Sequence, residues 1–150
     1  MELVAERTDV ESFFRYNIHR VCEEAKLDIR EKFLQIEYLS RMLAKFVEPR
    51  KHFNDAGDLV RIVDVLQDEV NKADYSLDSY KKAADKILYY QSFYPEAFKR
   101  RLTNINFYSK AATMFYGIVG KCGVPACTLI ATEYSLWNFV LKSTRQRYFF

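Results

Sequence analysis

Glu133 is the carboxylate in the most unusual surroundings. It falls on the apolar face that Leu129, Ile130, Tyr134, Trp137 and Val140 form at helical spacing. A carboxylate there is expected to be partly buried, and an unpaired buried charge is costly. Arg100, Arg101 or a tyrosine hydroxyl could pair with it. It then reads either as one half of a structural ion pair or as a ligand-binding or proton-transfer group. Asp85, with Glu133 and a tyrosine, would complete a set of acid–base groups. Helical spacing, however, places Asp85 on the outer side of its helix and Glu133 on the inner side. The two are not expected to meet, so the chain reads as non-enzymatic, with no catalytic residue assigned.

Other chemistry is sparser. His19 and Cys22 lie three residues apart, but no second such pair completes a metal site, and no metal or other cofactor is expected. No phosphate-binding glycine loop and no Ser/His/Asp set is present. The three cysteines, Cys22, Cys122 and Cys127, are too few and wrongly spaced for a disulfide framework. The segment from Phe107 to Gly120 carries rings (Tyr108, Phe115, Tyr116) beside small residues (Ala111, Ala112, Gly117, Gly120). That mixture fits close helix packing, or a ring-lined groove for an apolar ligand with one polar end. In the second case Trp137 joins the lining, and Glu133 or Arg100 orients the polar end.

The elements that must position these groups are helices. Val10, Phe14, Ile18, Val21 and Ala25 repeat at helical spacing behind a capping box at Thr8–Glu11, which predicts a first helix over about 9–26. Asp28 opens a second, lined by Phe33, Ile36, Leu39, Leu43 and Phe46 and stopped before Pro49. A third is predicted over about 58–72, and a fourth over about 77–93 behind Ser76. Pro95 starts a short turn of helix, a fifth helix ends near Gly120–Gly123, and a sixth runs from Pro125 to at least Lys142. No strand alternation of useful length appears. The expected fold is all-α: one domain over residues 1–150, a bundle of about six helices.

Composition sharpens where to look. The chain has 150 residues, and 16% of them are aromatic. Residues 1–74 carry 12 Lys/Arg against 16 Asp/Glu, a net of −4, whereas residues 75–150 carry 11 against 4, a net of +7. Of the 24 rings, 17 also lie after residue 74. An acidic half therefore precedes a basic, aromatic one. Either the halves neutralise each other, or the basic half meets a partner. The charges form no dense run and no nucleic-acid motif accompanies them, so nucleic acid is not the expected partner. No apolar stretch reads as a membrane span and the first residues do not read as a signal peptide, which points to the cytoplasm.

The stretch Ala84-Asp85 through Tyr89-Tyr90 to Phe93-Tyr94-Pro95-Glu96, followed by Arg100-Arg101 and Phe107-Tyr108 to Tyr116, resembles a family of uncharacterised all-helical bacterial proteins. The likeness is most specific over residues 84–116. That family tends to show a glycine before the acidic residue, a tyrosine pair, and a second glycine. Here Ala84, Phe107 and Ala112 stand in those places. The resemblance implies an all-helical fold in a bacterial cytoplasm, and marks Asp85, Tyr89, Tyr108 and Tyr116 as positions to test. It implies no activity. The reading that follows is a helical binding module that self-associates or holds a partner protein through its aromatic, basic half. The alternative is a sensor or carrier of a small apolar ligand, with a pocket between the fourth, fifth and sixth helices.

Overall fold

The computed structural model describes residues 2–46, 76–99 and 105–148, with backbone alone for 2–8, 97, 99, 105 and 148. Seven helical segments and no strand occur among these residues: α1 (Glu2–Glu24), α2 (Phe33–Phe46), α3 (Leu77–Phe93), α4 (Glu96–Lys99), α5 (Ile105–Lys121), α6 (Pro125–Thr132) and α7 (Tyr134–Tyr148). The fold is all-α. No described helix is long and apolar enough to cross a membrane. Pro49, the helix expected over 58–72, and Arg100 and Arg101 lie outside the described residues.

The chain divides into two compact units, Met1–His52 with Val140–Phe150, and Phe53–Phe139. In the first, α1 and α2 pair antiparallel. Arg15 donates to Glu37 at 2.6 Å and to Glu11 at 3.0 Å, while Arg41 reaches Glu11 at 3.2 Å. The residue numbers of the facing pairs, 15 with 37 and 11 with 41, sum to the same value, as an antiparallel register requires. The bond that Arg15 donates to Glu37 holds its guanidinium above its ordinary range. Behind these ions Phe14, Ile18, Val21 and Cys22 of α1, and Ile36, Leu39, Met42 and Leu43 of α2, are buried. Glu24 also pairs with Arg147 of α7.

Helix α1 begins at Glu2, so the Thr8 capping box lies inside it rather than at its start. The preceding Glu-Leu-Val-Ala-Glu-Arg is rich in helix formers, and nothing in it breaks the ladder. At the other end Leu27 N–H bonds the Cys22 carbonyl at 2.9 Å and Lys26 N–H the Glu23 carbonyl at 3.0 Å. These two bonds make a Schellman stop, with Lys26 in the left-handed region at φ 61°. Asp28 then accepts from Arg30 N–H at 3.0 Å. It therefore shapes the turn ahead of α2, which starts five residues later, at Phe33, instead of capping the helix directly.

In the second unit, Ser76 caps α3 by accepting from Ser79 N–H at 3.2 Å. Tyr94-Pro95 ends it, as the missing proline donor dictates. Pro125 sits in the first turn of α6. The helix expected from Pro125 to Lys142 is broken at Glu133 into α6 and α7. Within the last turn of α6, Thr132 Oγ1 bonds back to the Thr128 carbonyl at 2.9 Å, a contact that bends helices. Helices α3 and α5 run antiparallel, since Tyr80 meets Phe115 and Gln91 meets Ser109.

Candidate functional site

Helix α3 has little outer side. Ala83, Ala84, Asp85, Ile87, Leu88, Tyr89, Gln91, Ser92 and Phe93 are all buried. The expectation that Asp85 faces outward is therefore wrong: Asp85 is 5% exposed, and Tyr89, one turn further on the same side of the helix, is 4% exposed. The physical reason is local. Alanine and serine on several sides of α3 let neighbours approach around the helix, and Ser92 closes its hydroxyl on the Leu88 carbonyl at 2.7 Å. A polar side chain on such a helix stays only if it is paired.

Asp85 is paired on both oxygens. Tyr116 of α5 donates its hydroxyl to Oδ1 at 2.7 Å, and Lys81, one turn back on α3, reaches Oδ2 at 3.2 Å. Six residues further along α3, Gln91 does the same with an amide. Its Oε1 accepts from the Tyr134 hydroxyl at 2.6 Å, and its Nε2 donates to Ser109 at 3.1 Å. The Tyr116 and Tyr134 rings lie 6.5 Å apart. Burial pushes the Tyr134 hydroxyl well above the usual phenol range, so it stays protonated and donating. Two polar side chains of α3 thus tie α5 and the start of α7 to it.

The expected site residues that are described fall into two groups. Tyr108, Phe115, Tyr116 and Trp137 are buried core side chains, with Tyr108 edge-on to Phe98 at 5.5 Å and Phe115 against Tyr80 at 5.1 Å. Asp85 and Tyr89 join them; the Tyr89 ring packs on Tyr90 and Phe93, each at 5.1 Å. Glu133, half-buried, closes the end of α6, and its carbonyl accepts from Trp137 N–H at 3.1 Å. Asp85 and Tyr116 converge, but every Asp85 oxygen is occupied inside the core, a geometry for holding helices together. Spacing could have revealed Lys81, which stands four before Asp85 on one helix. The pairing of Gln91 with Tyr134, 43 residues away, has no local signal.

One cleft among the described residues lies elsewhere. It is about 500 Å³ and is lined by Ser12, Arg15, Tyr16, His19, Arg20 and Glu23 of α1. Its arginines are engaged: Arg15 with Glu11 and Glu37, and Arg20 with the Tyr16 hydroxyl at 3.2 Å and the Tyr16 ring at 5.8 Å. Among the described residues no group of three His, Cys, Asp or Glu side chains is placed to hold a metal ion.

The cysteines differ in access. Cys22 and Cys127 are buried and Cys122 is exposed. Burial raises the Cys22 thiol from 9.0 to about 11. Its neutral form therefore contributes stability that is full below pH 9.0 and is lost as the pH rises toward about 11. At pH ~8 a water-soluble maleimide is expected to label Cys122 alone in the folded protein, with Cys22 and Cys127 reacting only on denaturation. Mass spectrometry of the labelled chain checks this; fast double labelling of the native protein contradicts it.

One surface stands out by composition. Helix α5 turns Tyr108, Ala112, Phe115, Tyr116 and Val119 inward. Its opposite arc, about 120° wide at 100° per residue, carries Asn106, Phe107, Lys110, Met114, Gly117, Ile118 and Lys121. Phe107 is 45% exposed and Met114 56%. The chain has no Asp or Glu between Glu96 and Glu133, and neither Lys110 nor Lys121 has an ion pair among the described residues. No protein-family model, curated protein or solved structure matches this chain.

Proposed function

We propose that the protein is a non-enzymatic helical interaction module whose contact surface is the outward face of α5. The observation that carries this reading is the pairing of Phe107 and Met114, two large apolar side chains seven residues apart on one exposed arc of an acid-free helix. Isolated exposed apolar residues are ordinary. Two in line beside lysines form a strip of the kind that protein interfaces cover. The rings first considered for a ligand groove are instead occupied in core packing, which favours a surface over a pocket.

A photo-crosslinking amino acid placed at position 114 of the intact chain tests the reading. Position 78, an exposed site on α3, serves as the control. A discrete adduct is expected from 114 and not from 78, either with a second copy in the purified protein or with one defined protein in extract. Equal adducts from both positions, or none from 114, would overturn it. Phe107→Ser with Met114→Ser is expected to abolish binding of any partner so identified, while leaving the circular-dichroism spectrum unchanged.

A further inference from the structure

The two glycines of α5 are in opposite situations. A methyl group at Gly120 would lie 2.1 Å from Thr128 Oγ1, 2.5 Å from its backbone nitrogen and 2.8 Å from its Cα. Gly120 is therefore required by the approach of α6. A methyl group at Gly117 would meet nothing within 4 Å, and Gly117 has no positive φ. Glycine inside a helix is less stable than alanine, so the folded chain by itself gives no reason for it. Gly117 lies on the exposed arc beside Met114 and Lys110, three and seven residues before it. A small residue on an open face is what a second backbone needs to approach closely.

Charge narrows what that second backbone is. The arc carries Phe107, Met114 and Ile118 along one side, and Lys110 and Lys121 along the other. The two lysines are about 16 Å apart along the helix at 1.5 Å per residue. A second copy using the same face would set these lysines against their own equivalents, and like charges in an interface are costly. An amphipathic helix with an apolar stripe and acidic side chains on one edge meets both features. We infer that the outward face of α5 receives such an acidic amphipathic helix from a partner protein, crossing closest at Gly117. This inference rests on the reading of α5 as the contact surface.

Fluorescence anisotropy with the full-length chain tests it, using three synthetic helical peptides. The first has a leucine stripe and glutamate edges, the second has lysine for each glutamate, and the third is a scramble of the first. The acidic peptide is expected to bind at least about tenfold tighter than the other two, and to weaken as salt is raised. Lys110→Glu with Lys121→Glu should reverse the preference between the acidic and basic peptides. Gly117→Ala should raise the melting temperature, while Gly117→Leu, still folded, weakens acidic-peptide binding by about tenfold or more. Indifference to peptide charge, or no binding at all, overturns the inference. Unchanged affinity in Gly117→Leu overturns the crossing point. If position 114 crosslinks to a second copy while the acidic peptide fails to bind, the contact surface stands and the acidic helix does not. If the position-114 adduct is also absent, both fall.

Discussion

Replacing Asp85 by alanine is expected to lower the unfolding free energy by about 3 kcal/mol. The carboxylate is 5% exposed and accepts from Tyr116 at 2.7 Å and from Lys81 at 3.2 Å. Its removal leaves a buried phenol hydroxyl without that acceptor and opens a small void beside it. Tyr116→Phe keeps the ring and removes only the donor, so its cost should be smaller, about 2 kcal/mol. Asp85→Asn keeps an acceptor for Tyr116 and should be milder still. Lys81 is 35% exposed, so its ion pair is screened and contributes little. The double variant Asp85→Ala with Tyr116→Phe should cost less than the two single changes added, because one interaction is removed once. Urea titrations of the four variants measure this. Strict additivity would mean that the hydrogen bond does not couple α3 to α5.

The second large effect is at Gly120. Gly120→Ala is expected to destabilise by about 2–3 kcal/mol through overpacking. The threonine hydroxyl nearest the new methyl group could rotate away, but the Thr128 nitrogen and Cα at 2.5 and 2.8 Å cannot move without shifting α6. Thr128→Ala should therefore fail to rescue Gly120→Ala. A full rescue would show that the side chain alone sets the contact. The effect matters beyond stability, because the same α6 leads directly into Tyr134, whose hydroxyl anchors Gln91.

Much of the helical order was legible along the chain. Ile18, Val21, Ile36, Leu39 and Leu43 were expected to be inward at 3.6-residue spacing and are buried. Ser76, Pro95 and Pro125 mark boundaries where predicted, since capping and the missing proline donor act within a few residues. The failures share a cause. Asp85 reads as outward because a wheel with one polar and one apolar side presumes solvent on the polar side. Glu133 reads as mid-helix because its neighbours keep the helical spacing, whereas the helix ends at Thr132 and restarts at Tyr134. Phe107 and Met114 lie on the exposed arc of the helix that turns Tyr108, Phe115 and Tyr116 inward, a division that the run of rings and small residues does not mark.

By itself the sequence determined that this chain is helical, where several of its helices begin or end, and that its rings gather after residue 74, where acidic residues become scarce and the net charge turns positive. These are local or compositional properties, and a few consecutive side chains are enough to set them. Only the tertiary structure decided which of those rings are core and which are surface. It also decided that Asp85 is satisfied by Tyr116 from 31 residues away, and that Gly120 is needed by the fold while Gly117 is not. Each of those outcomes depends on what a second helix brings to within a few ångströms, and the order of residues along one helix does not encode its neighbour.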